Sequence, residues 1–125
     1  MPLERIHPLA FKAAEASHCA NEQGKYWEMH ERLFQHQRAL EPWSGHAAAL
    51  GLNVAEFDAC MRSNKFAPLV RKSMGQAAKI HVTGTPGFVL GLTDPKDPTK
   101  MKGLSFLRGA QPFARFKAAI DAALK

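Results

Sequence analysis

The chain has 125 residues, 46% of them apolar and 22% charged, with a formal net charge of +6. That length suits one domain able to bury about two thirds of its unfolded surface, and the composition is that of an ordinary globular protein. No run of about 18 apolar residues offers a membrane span, and no charged-then-apolar leader opens the chain. The charge is uneven: residues 1–63 carry 6 Lys/Arg against 8 Asp/Glu, and residues 64–125 carry 11 against 3. A basic half attracts anionic partners in general. The cations are scattered beyond Arg71-Lys72, however, and no nucleic-acid-binding signature accompanies them. A soluble basic face is expected, with neither nucleic acid nor membrane as partner.

Pro2 to Ile6 is long enough only for the tail of a strand or an entry loop. His7-Pro8 opens a helix, with Pro8 in a first turn where its missing N–H costs nothing. Leu9 to Gln23 continues it, with Phe11, Ala14, His18 and Cys19 on one side, and Gly24 ends it. A second helix, Lys25 to Leu40, sets Tyr26, Trp27, His30, Leu33 and Phe34 at spacings of three and four. Trp27, Phe34, Phe57 and Phe66 are expected in the core; the alternative is an apolar groove beside the Thr-Pro turn described below. A weak helix from Ser44 to Leu50 stops at Gly51. Asn53-x-x-Glu56 forms a capping pair for a short helix through Met61 that buries Phe57 and Cys60 or Met61. Ser63-Asn64 breaks that helix. The next, Lys65 to about Lys79, turns Phe66, Leu69, Val70, Ala77 and Ile80 inward and tolerates Pro68 in its first turn.

Val82-Thr83-Gly84-Thr85-Pro86-Gly87 then places a Thr-Pro bond at the mouth of an apolar run, Phe88 to Leu92. A proline there supplies no ladder donor and belongs at a strand start. Between Gly84 and Gly87 it suits a tight turn, as an ordinary trans proline or in the cis form. Thr93 to Lys100 is a polar, proline-rich connector, Leu104 to Arg108 makes the returning strand, and Gly109 ends it. Pro112 starts a last helix whose Phe113, Phe116, Ile120 and Leu124 form an apolar stripe. A lone hairpin is marginal, and Phe88-Val89-Leu90 has the two-sided apolarity of an interior strand. With only Pro2 to Ile6 as a third strand, the sheet reads as incomplete.

Sites for other chemistry are weak. His7, His18, His30, His36, His46 and His81 include no i,i+4 pair and no His-Glu-x-x-His; His30, on the apolar face, is expected to be a hydrogen-bonded core residue. Ser17, Ser44, Ser63, Ser73 and Ser105 lack a nucleophile-elbow context. No metal and no cofactor are expected.

Four pieces in register resemble one family. His7-Pro8-x-Ala10, Ala13-Ala14, Cys19-Ala20, Gln23 to His30 and Leu33-Phe34 look like the helical insert of DsbA-like thiol:disulfide oxidoreductases. Phe57-x-x-Cys60-x-x-Ser63-x-Lys65, Val82-x-Gly84-Thr85-Pro86-x-Phe88 and Gly109-Ala110-Gln111-Pro112-Phe113-x-x-Phe116 follow in the family's order. The resemblance implies a helix-rich α/β chain, a truncated thioredoxin-like fold made of helical insertion, cis-Pro loop, β-hairpin and C-terminal helix. It would be one partial domain, 7–81 holding the insertion and following helix and 82–125 the loop, hairpin and terminal helix. Pro2 to Ile6 would match the end of the strand before the insert. Thr85 and Pro86 match the loop that holds an extended, cysteine-containing polypeptide.

The family's Cys-x-x-Cys, which would precede the position of Met1, is not in this chain. A redox dithiol needs two thiols within reach, the attacking one with a lowered pKa. Cys19 and Cys60, each late in a helix, suit neither need. They read as small buried hydrophobes or, as the resemblance implies, as a structural disulfide between the first and fourth helices. The expected function is therefore the C-terminal part of such an oxidoreductase, without its dithiol and inactive alone. The parent family typically works outside the cytoplasm; this chain's own compartment is open. A second reading is a non-enzymatic assembly module whose sheet is completed by a strand-donating partner or a homodimer. A third, ranked lower, is a kappa-class glutathione transferase or related isomerase.

Overall fold

A computed structural model describes residues 2–125 of the chain. Six helices and a hairpin succeed one another: α1 (Ala10–Asn21), α2 (Tyr26–Gln35), α3 (Trp43–Ala49), α4 (Val54–Ser63), α5 (Ala67–Lys79), β1 (Gly87–Thr93), β2 (Met101–Arg108) and α6 (Phe113–Ala123). They fall into two compact units, Met1–Ala77 and Ala78–Lys125.

The helical unit is punctuated by local chemistry. After α3, Gly51 takes φ +70°, and the Gly51 and Leu52 N–H groups donate to the carbonyls of Ala48 and Ala47. This is a Schellman ending, which spares the last carbonyls from burial without partners; Leu52 follows it into the core. At the start of α4 the Asn53 side chain accepts from the Glu56 N–H at 3.2 Å and donates to the Glu56 carboxylate at 3.0 Å. The expected capping pair is thus formed. α4 runs past Met61 to Ser63 because the chain reverses only at Asn64, whose φ of 52° is left-handed.

Small residues on α1 set the packing. Ala16, Cys19 and Ala20 meet Met29 and Leu33 of α2, Ala47 of α3, and Phe57, Cys60 and Met61 of α4 in one buried cluster. Burying Phe57 alone is worth about 2–3 kcal/mol relative to exposure. Three polar residues, Glu15, Ser17 and His46, are buried among the described residues. Glu15 is almost wholly buried, with Lys12 Nζ 2.9 Å from its Oε2 as counter-ion. His46 accepts from Arg32 Nε at 3.1 Å, so its other ring nitrogen is left to donate to the Ala39 carbonyl at 3.0 Å.

Several expectations from periodicity fail here. Trp27 and Phe34 are not core: they stand 71% and 63% exposed, while α2 buries Met29 and Leu33 instead. His30 is half-buried among the rings of Tyr26, Trp27 and Phe34 rather than enclosed in the core. The apolar spacing identifies a stripe, but only a covering element can bury it, and α1 and α3 cover its other side. Leu69 and Ile80 are exposed for the same reason, and Val70 is the buried residue of α5. Of the two readings of Pro2 to Ile6, strand tail or entry loop, the structure has the second: a turn closed by the Ile6 and His7 N–H groups on the Leu3 carbonyl. Strand geometry needs a neighbour to take its backbone groups, and the two strands among the described residues pair with each other. α1 begins two residues after Pro8, which lies in the preceding turn.

In the second unit β1 and β2 run antiparallel, with Gly87 opposite Arg108, Val89 opposite Phe106 and Leu92 opposite Lys102. The register slips between Leu90 and Gly91. At that bulge a Cβ on Gly91 would lie 2.3 Å from the Lys102 carbonyl oxygen, so only glycine fits. β2 starts three residues earlier than its apolar run because Met101 and Lys102 still pair with Thr93 and Leu92. The stripe of α6 is divided. Phe116 packs edge-on against Phe88 at 4.9 Å, and Ala119 and Ala123 are half-buried, whereas Phe113 is 78% exposed and Leu124 nearly as open. Phe88, Val89 and Leu92 are all exposed as well, so β1 has interior composition on an open sheet.

Candidate functional site

The loop entering β1 is held in a defined geometry. The Thr85–Pro86 peptide bond is cis. The Pro86 carbonyl accepts the Gly109 N–H at 2.8 Å, tying the loop to the end of β2. Gly87 makes this closeness possible: a Cβ there would meet the Val82 methyl at 3.2 Å and the Phe106 ring at 3.3 Å. Beyond that tie, the N–H and C=O groups of Thr83, Gly84 and Thr85 have no backbone partners among the described residues. An exposed run of open donors and acceptors is what an extended chain pairs with.

Beside the loop lies a cavity of about 200 Å³, lined by Thr83 to Pro86 together with Phe106, Arg108 and Gly109. The Arg108 guanidinium sits 5.5 Å from the centre of the Phe106 ring, and no carboxylate lies within 4.0 Å of it among the described residues. Thr85 and Pro86 stand out in the sequence, whereas Phe106 and Arg108, which β2 returns to the loop from about twenty positions further along, do not. Alternation along β2 carries no mark of this; the strand register does.

Cys19 and Cys60 lie in the helical unit and form a disulfide between α1 and α4, 2% and 8% exposed. They are the only cysteines of the sequence, so the chain as folded presents no thiol. The histidines are dispersed: His18 stacks on Phe66 at 5.3 Å, His36 bonds the Arg32 carbonyl, and His46 is the buried partner of Arg32. Ser17, Ser63 and Ser73 turn their hydroxyls back onto helix carbonyls. Two carboxyls are held below their usual range: Asp97 by the Thr99 hydroxyl and then Lys100, and Glu28 by Lys25. Both lie at the surface, Glu28 exposed and Asp97 half-buried. No helix among the described residues is long and apolar enough to cross a membrane.

A helical unit stapled by a disulfide, followed by a Thr-Pro loop, an antiparallel hairpin and a terminal helix, defines a helix-rich α/β protein of the thioredoxin-like class. The family model for the DSBA-like thioredoxin domain matches residues 3–121, and the chain belongs to that family. It is also similar to proteins named Na(+)/H(+) antiporter. It is 40% identical over 102 residues to NhaA 1 of Mycobacterium sp. (strain KMS), covering 78% of this chain and 16% of that protein. With NhaA 1 of Mycolicibacterium vanbaalenii the identity is 43% over 97 residues, 73% of this chain and 16% of the relative. With NhaA 3 of Salinispora tropica it is 34% over 107 residues, 84% and 16%. The chain thus spans about one sixth of the length of these relatives. No solved structure matches it significantly.

Proposed function

We infer that this chain is the polypeptide-holding part of a thiol:disulfide exchange module, with Thr85 and Pro86 as the contact and the exchanging thiols supplied from outside residues 1–125. The observation that carries this is the open backbone of Thr83–Thr85 beside a lined cavity, in a chain of the DsbA-like family. In such exchange a thiolate attacks a disulfide sulfur of the substrate, a mixed disulfide forms as the other sulfur leaves, and a second thiol resolves it. Here both cysteines are already spent on a buried bridge, which favours a structural role and an oxidising compartment. The chain alone should reduce insulin no faster than the dithiol added to the assay. Turnover above that background, lost in the Cys19→Ala/Cys60→Ala variant while its helical circular dichroism persists, defeats the proposal.

The length relation to the antiporters extends the reading: the chain would serve as one module of a longer protein. The coding sequence immediately upstream tests this, an in-frame Cys-x-x-Cys segment being the expected finding. A second reading, strand addition by a partner or another copy, is favoured by the exposed Phe88, Val89 and Leu92 of β1. A monomer by light scattering at every concentration removes the self-pairing form of it.

A further inference from the structure

We propose that the cavity beside Thr85–Pro86 selects for a carboxylate on the held polypeptide, with Arg108 as the specificity-determining residue. The inference rests on the loop's role in holding a polypeptide and adds the chemistry of what it holds.

Arg108 is the single charged residue among those lining the cavity. The other walls are Thr83, Gly84, Thr85, Pro86, Gly109 and the Phe106 ring, so no neighbouring anion neutralises the guanidinium. Arg108 is exposed, its side chain steadied by one ring and its backbone by the strand. The Phe106 ring lies under it at 5.5 Å, a cation–π arrangement that limits the rotamers available. The backbone at Arg108 is held by the ladder to Gly87 and by Gln111 Nε2, which donates to the Arg108 carbonyl at 2.7 Å. A guanidinium held this way loses less freedom on meeting a planar carboxylate, and its fork of donors matches two oxygens at once.

Size decides the kind of ligand. A cavity of about 200 Å³ is below the roughly 300–1,000 Å³ of sites that enclose a whole small molecule. It suits one side chain, or a chain end, of a segment whose backbone runs along Thr83–Thr85. The wider field has the right sign, since residues 78–125, the unit that holds the cavity, carry 8 cationic against 3 anionic side chains, and such a field raises the local concentration of acidic partners. The shared chemistry is a carboxylate; its source is either a Glu or Asp side chain or a free C-terminus.

The test uses the 125-residue chain labelled with ¹⁵N and three cysteine-free peptides. These are acetyl-Ser-Val-Glu-Val-Ser-amide, its Gln counterpart, and the Gln peptide with a free C-terminal carboxylate. Amide shifts of Thr83, Gly84, Thr85, Arg108 and Gly109 report binding. The Glu peptide should bind about tenfold more tightly than the amidated Gln peptide, the weight of one charge-assisted contact at a half-open site. That ratio should fall below about twofold in Arg108→Gln and stay intermediate in Arg108→Lys. Recovery of the tight binding by the free-carboxylate Gln peptide assigns the chain end as the source and supports the proposal equally. Equal binding of all three peptides overturns the carboxylate selection and leaves the loop's role intact. A ratio unchanged in Arg108→Gln overturns the assignment to Arg108. No shift at these amides with any peptide removes the polypeptide-holding role, and the selection with it. Should Arg108→Gln lose the dispersed hairpin amides, the Arg108→Lys ratio is the readout: a ratio equal to that of the unaltered chain overturns the dependence on guanidinium geometry.

Discussion

Replacing both bridge cysteines by alanine should cost the helical unit close to half of an ordinary domain's stability. Cys19 and Cys60 are 41 positions apart, so the bridge closes a loop whose release restores roughly 4 kcal/mol of chain entropy to the unfolded state. Loss of two sulfurs from a nearly solvent-free site adds about 1 kcal/mol of lost packing. Against a typical total of about 5–15 kcal/mol, that is a large fraction. The assay is urea unfolding followed by tryptophan fluorescence. Both tryptophans, Trp27 and Trp43, lie in the unit Met1–Ala77, so the signal reads that unit alone. With a slope near 2 kcal/mol/M, the midpoint should fall by about 2.5 M, and the slope itself should rise as the unfolded chain expands. Dithiothreitol should lower the unaltered protein's midpoint by about 2 M, somewhat less than the double substitution because the sulfurs remain in place, and leave the double variant unmoved. A drop of less than about 0.5 M, or a response of the double variant to the reductant, refutes the entropic account.

Other outcomes follow from single contacts. In Gly91→Ala the new methyl meets the Lys102 carbonyl oxygen at 2.3 Å, whereas in Gly103→Ala the nearest atom is a Val89 methyl at 3.6 Å. The first should cost about 1–3 kcal/mol and speed amide exchange at Leu90 and Leu92, and the second should be near neutral; equal protection in the two variants would refute the bulge contact. Asp97 should titrate below the ordinary aspartate value of about 3.9, because Thr99 and Lys100 bond its ionised form. Since its folded value is the lower one, its contribution is present above that ordinary value and is lost as pH falls through the folded one. Carboxyl-carbon NMR of the connector reads this directly. Thr99→Ala should move the midpoint upward, and an unchanged midpoint would count against the assigned cause.

Much of this architecture is legible because it is written in local codes. Asn53 and Glu56 announce the start of α4, and Gly51 the end of α3. Gly109 and Pro112 bracket the passage from β2 to α6. Each acts within a few residues, on backbone groups that must be satisfied wherever the segment ends up. What is exposed is not written that way. On α2, Trp27 and Phe34 share a period with Leu33, yet only Leu33 meets α1 and α3. On α6, Phe116 and Phe113 are three apart and equally apolar, and the hairpin covers one of them. Phe106 and Arg108 show the same limit at the candidate site: nothing in the residues around Thr85 points to a strand that returns from beyond the connector.

The sequence by itself determined the order of elements, their caps and turns, and the family, since capping pairs, glycine stops and ordered motifs act through chain neighbours. Tertiary structure alone decided which apolar stripes are buried, that Cys19 meets Cys60, and that a cation lies beside the Thr-Pro loop. Those outcomes depend on distances between residues far apart in the chain, which the packing of α1 on α4 and the register of β1 on β2 set.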